Sequence, residues 1–166
     1  MSLDPDAVYV LAVAALDSIV NGWPGDLEPL PARRYVTFGE VAWDCEQLVV
    51  SVERTFGVDQ LDVLSENVLG MDASAPFQLR GLTVACSLIR CVPVVKDSGA
   101  PPTTTELNES ATIVLADGVA MFNCLAAAQR AGTLGTCNGV AFESGDAQTP
   151  DGGFGGWVTR ARLLLV

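Results

Sequence analysis

Two long runs of alternating residues, 41–56 and 77–95, follow one another with only a helical turn or short helix expected between them. In the first, Leu48, Val50, Val52 and Phe56 point one way, and Gln47, Ser51, Glu53 and Thr55 the other. In the second, Leu82, Val84, Cys86 and Leu88 share a face opposite Thr83 and Ser87, with Pro93 near the end, where a strand tolerates it. Long strands joined without a crossover helix pair as antiparallel neighbours. The pattern predicts a sheet with one apolar face and one polar face, and the apolar face needs a cover.

The flanking segments supply that cover. Residues 4–21 read as a helix: Asp4 can cap it, Pro5 suits its first position, and Asn21-Gly22 followed by Pro24 stops it. Val8, Leu11, Ala12, Ala15, Leu16 and Ile19 form one stripe, with Asp6, Asp17 and Ser18 left to water. A Pro- and Gly-rich loop, 21–33, leads to a short strand at 34–38 and a turn at Gly39-Glu40. A second helix is expected over 105–130, with Leu107, Ala111, Val114, Leu115, Phe122, Leu125 and Ala126 apolar and Glu106, Glu109 and Asp117 facing solvent. A short strand at 140–143 and a final strand at 157–166 complete the order. In the final strand Trp157, Ala161, Leu163 and Leu165 lie opposite Arg160 and Arg162. The expected fold class is α+β in two layers: an antiparallel or mixed sheet of four to five strands covered by two amphipathic helices, as a single domain over residues 1–166.

Charge and composition narrow the chemistry. Twenty acidic against nine basic residues give a net charge of −11, and there is no His. A basic face for nucleic acid is missing, and so are imidazole nucleophile systems and His-ligated zinc. Five cysteines stand without a C-x-x-C pair, so buried, reduced thiols are expected, with no metal and no cofactor. The acidic start and a short, Ala-rich apolar stretch argue against a signal peptide or membrane span, so synthesis and use in a cytoplasm, or assembly there, are expected.

Few motifs carry chemistry. Asp44 and Glu46 flank Cys45 and would share a strand face, as a carboxylate pair for acid/base or divalent-metal chemistry would require; the simpler reading is a solvated strand start. The run Gly152-Gly153-Phe154-Gly155-Gly156 resembles a phosphate loop in composition, but a strand follows it where a helix N-terminus is required. It suits a tight turn or close approach of a neighbouring subunit's backbone. Arg33-Arg34, Arg160 and Arg162 are expected to offset nearby acids or form interface ion pairs. Cys86 and Cys91 fall on opposite strand faces, which forbids a disulfide between them.

Taken in order, the segments Pro31-Ala32-Arg33-Arg34-Tyr35-Val36 with Gly39, Val41-Ala42-Trp43-Asp44-Cys45-Glu46-Gln47-Leu48, Arg90-Cys91-Val92-Pro93, Gly99-Ala100-Pro101-Pro102-Thr103 and 150–157 resemble a tail terminator, or closely related head-to-tail joining protein, of long-tailed siphovirus-type phages of actinobacteria. The resemblance covers most of the chain from residue 31 onward and lies in order and spacing. A cysteine that the family pattern would place near Phe154 is absent, so no thiol role carries over.

The resemblance implies a small α+β structural virion protein, not an enzyme. It would form a ring, a hexamer, at the head-proximal end of the tail tube, stop tube polymerisation and meet the neck. Its implied partners are copies of itself, the tail tube protein and a head-closure protein; DNA would pass through without sequence-specific binding, and no membrane would be involved. Its implied place is the virion tail or neck, assembled in the host cytoplasm. A closed ring of head-to-tail contacts needs two different patches per subunit. The expected patches are the acidic, apolar segment 57–75, with Leu61, Val63, Leu64, Val68 and Leu69, and the Gly-rich turn with Phe154, Trp157, Arg160 and Arg162. Glu53 and Asp59 are the expected acidic lining of the lumen, where like charge would repel passing phosphates. The alternatives are a head-closure or adaptor subunit, a small carboxylate-dependent enzyme using Asp44 and Glu46, and a binding module that docks one partner without self-assembly.

Overall fold

The N-terminal stripe becomes α1 (Pro5–Gly22), which buries Val8, Leu11, Ala12, Ala15 and Ile19. The computed structural model describes residues 5–42, 44, 46–57, 79–134, 137–151 and 153–165. The remaining elements are β1 (Arg34–Phe38), β2 (Gln47–Gly57), β3 (Leu79–Cys91), α2 (Thr104–Ala131), β4 (Cys137–Asp151) and β5 (Phe154–Leu165). They form an α+β fold with one five-stranded mixed sheet, in the order β1-β2-β3-β5-β4.

Strands β2, β3, β5 and β4 pair antiparallel along this order, and the β2–β3 pair is the one expected of the two long alternating runs. The core face carries Leu48, Val50 and Val52 of β2, Leu82, Val84, Cys86 and Leu88 of β3, and Ala161 and Leu163 of β5. Against it lie α1 and the inner side of α2, with Met121, Cys124 and Leu125. Burying these side chains, at about 25 cal/mol per Å² of apolar surface, is the main force holding the two layers together.

Several expectations need correction. The first long strand starts at Gln47 rather than Val41, because β1 pairs parallel with β2 (Arg34↔Leu48 to Phe38↔Val52) and residues 39–46 are spent returning the chain to the start of the pair. The face opposite the core is buried at its centre: Gln47, Val49, Ser51, Thr83, Ala85, Ser87 and Ile89 are all covered. The returning segment runs over this face, where Tyr35 Oη donates to Gln47 Oε1 at 3.0 Å and Gln47 Nε2 donates to the Ala42 carbonyl.

Helix α2 matches its expected span but turns differently. Asp117 is buried, whereas Leu107, Leu115 and Phe122 are exposed. Its buried side combines Met121 and Leu125 with the smaller Gly118, Ala120, Cys124 and Ala128, which allow close packing. A capping box at Thr103 and Glu106 starts the helix and a left-handed Gly132 ends it. By length and composition alone α2 could cross a membrane, with 39% of its most apolar window buried in the fold.

The short strand expected at 140–143 is fifteen residues long, 137–151. Its glycines and small polar residues lower intrinsic strand propensity, but β5 offers an almost continuous ladder and the sequence follows it. Gly153, at φ +89°, turns the chain between Asp151 and Phe154. A side chain at Gly156 would collide with the Leu88 carbonyl, so the close approach expected of these glycines is to β3 of the same chain.

Candidate interaction surfaces

The expected carboxylate pair does not assemble. Asp44 and Glu46 lie in bends ahead of β2, not on a strand, and each is committed elsewhere. Asp44 pairs with Arg33 at 2.8 Å, and Glu46 accepts the Cys91 backbone N–H at 2.9 Å. Among the described residues no group of three metal-ligating side chains comes together.

The arginines of β5 do find acids, all within the chain. Arg160 bridges Glu53 and Asp146, both at 3.1 Å. Arg162 sits against Glu143, which Arg54 also approaches at 3.8 Å. These pairs join β2, β5 and β4 across the face opposite the helices. Open to water on one side, each contributes on the order of 1 kcal/mol or less. Glu53, expected in a lumen, is thus the partner of Arg160; Asp59 lies outside the described residues, as do Leu61, Val63, Leu64, Val68 and Leu69. Phe154 opens β5, half-buried.

Trp157 lines an apolar groove on the helix side of the sheet, between α2 and β4, of about 370 Å³. Val119 and Phe122 of α2 and Phe142 of β4 line it, the rings of Phe122 and Phe142 packed against each other with centroids 4.3 Å apart at 43°. The groove exists because Gly118 lets the helix settle on the indole: a Cβ there would lie 2.5 Å from the ring. Thr159 completes the lining, and its buried hydroxyl has no hydrogen-bond partner among the described residues. Around this groove Leu115, Val119 and Phe122 stay exposed on α2. An apolar strip of this kind, beside the edge strand β4, is what a binding partner covers.

Sequence reasoning missed the buried ion pair between Arg90 and Asp117. Arg90 also donates to the carbonyls of Pro29, at 2.6 Å, and Glu28, at 3.2 Å, fastening the Pro-rich loop to β3 and α2. Burial pushes the Asp117 carboxyl up, against the pull of Arg90 and with smaller upward contributions from Glu28 and Glu46. No local signal marks this pair, because its members are 27 residues apart on different elements.

Compared with known proteins, the chain matches no family model and none of the curated sequences.

Proposed function

We propose that this protein is a structural ring subunit of a long-tailed phage, a tail terminator that caps the head-proximal end of the tail tube and joins it to the neck. The reading rests on the ordered segments from Pro31 to Trp157 that resemble that family. It is supported by a two-layer α+β subunit whose sheet ends in two edge strands, β1 and β4, with an exposed apolar helix beside one of them. Such a subunit has material for contacts on both flanks, as a ring requires. In this reading the ring is a hexamer of this chain, its further partners are the tube protein and a head-closure protein, DNA passes through the lumen, and the net charge of −11 keeps phosphates from adhering.

Deleting the gene from the encoding phage and imaging the lysate by negative-stain electron microscopy tests this. Overlong tubes detached from heads are expected. Tails of normal length beside emptied heads would move the assignment to head closure, and intact virions would sink the structural reading.

A further inference from the structure

The two flanks of the subunit are complementary in placement: an exposed apolar side chain at one edge of the sheet and an apolar groove at the other, on the same side. On the β1 flank, Phe38 ends its strand 61% exposed, ahead of Gly39 at φ +81°. Its register partner is Val52 of the core face, so Phe38 stands on the helix side of the sheet. On the β4 flank, the groove between α2 and β4 opens on that same side, rimmed by Val119, which is 62% exposed. One edge presents an apolar knob and the opposite edge an apolar hole.

The charges of the two flanks are spent within the chain: Arg33 pairs with Asp44, Arg34 donates to the carbonyl oxygens of Pro31 and Leu30, Glu143 meets Arg162, and Asp146 meets Arg160. Apolar contact and strand pairing are therefore what the two edges have to offer each other. Edge strands with open ladders accept another strand when side chains permit. Adding β1 of one copy to β4 of another would continue the sheet and keep core-face residues on one side of it. Phe38 would then arrive where the groove lies, and α1 of the incoming copy, with Tyr9 exposed, would lie beside the exposed strip of α2.

We infer that the occupant of the α2–β4 groove is the β1 edge of a second copy of this chain, with Phe38 as the inserted side chain. Because the two patches differ and lie at opposite edges, the contact is heterologous: each copy still offers one free knob and one free hole, so association continues until it closes on itself. The inference rests on the ring reading and names the surfaces that build the ring.

Sedimentation velocity on the purified chain, under reducing conditions so that thiols play no part, tests it with two exposed-site variants, Phe38→Asp and Val119→Asp. The wild type is expected to form species above dimer, and each variant alone to be a folded monomer by circular dichroism. An equimolar mixture of the two variants has one intact knob and one intact hole, and is expected to sediment at twice the monomer mass and no further. A wild type that stays monomeric at millimolar concentration, a closed wild-type dimer, variants that assemble normally, or wild-type chain that binds neutral phosphatidylcholine vesicles instead of itself would each overturn the inference. Overlong tails on gene deletion together with a failed mixing experiment would leave the terminator reading standing with other contacts. A capped dimer together with intact virions on deletion would leave the contact standing without that reading.

Discussion

Arg90 and Asp117 form a bidentate ion pair inside the fold, Nε to Oδ2 at 2.9 Å and Nη2 to Oδ1 at 3.0 Å, with only 6% and 2% of the residues exposed. The planar fork satisfies both carboxylate oxygens and still reaches two loop carbonyls, so one side chain ties β3, α2 and the Pro-rich loop together.

Removing one partner leaves the other charge stranded. Asp117→Asn is expected to cost about 3–5 kcal/mol, on the order of 10 °C in Tm. The paired replacement Arg90→Met with Asp117→Leu should recover much of that loss, since it strands no charge. Thermal melts of the three variants check this, and an Asp117→Asn melt within a degree of wild type would contradict the geometry.

Gly118 is held at glycine by the indole of Trp157. A Cβ 2.5 Å from the ring forces helix and strand apart, so Gly118→Ala is expected to destabilise by roughly 1–3 kcal/mol through overpacking. Trp157 moves toward water in the process. Tryptophan emission, recorded with Trp23 and Trp43 replaced by Phe, should shift to the red.

The N-terminus of α2 is sensitive to acid. Glu106 accepts the Thr103 backbone N–H, at 2.7 Å, and the Thr103 hydroxyl, at 2.8 Å; with Lys96 nearby its carboxyl is lowered from 4.5 to about 2. A carboxyl that is more acidic in the folded state stabilises it above the unfolded value, and that contribution disappears as pH falls through about 2. Wild-type helicity, followed by circular dichroism at 222 nm, should therefore weaken between pH 4.5 and about 2. In Thr103→Ala the lowering is partly lost, so the contribution is smaller and its loss should be complete at a higher pH than in the wild type.

Thiol reactivity should divide by burial. Cys86 sits in the core, its thiol pushed up to about 12, and Cys124 is raised for the same reason, whereas Cys91 is exposed at the end of β3. Brief iodoacetamide treatment of native protein at pH 8, mapped by peptide mass, should modify Cys91 and leave Cys86 intact until denaturant is added. Modification of Cys86 at a comparable rate would mean that the core opens.

How much was legible varies with the distance over which each residue's environment is set. The stripe Val8 to Ile19 and the alternation Leu82 to Leu88 are periodic, and period alone names the buried side. Asp117 shows where this stops: a lone acid on a helix reads as solvated, and only Arg90, arriving from another strand, makes its burial tolerable. Likewise Arg160 and Arg162 read as surface charges available to a partner, and the strand order β2-β3-β5-β4 decides that Glu53, Asp146 and Glu143 meet them first.

By itself the sequence determined the fold class, the two helices and the core faces of β2, β3 and β5, because local stereochemistry and hydrophobic period act within a few residues. Only the tertiary structure decided the parallel β1–β2 pair, the length of β4, the burial of the second sheet face and the groove beneath Val119. Each depends on which element lies alongside, and that neighbour is fixed by packing between residues tens of positions apart.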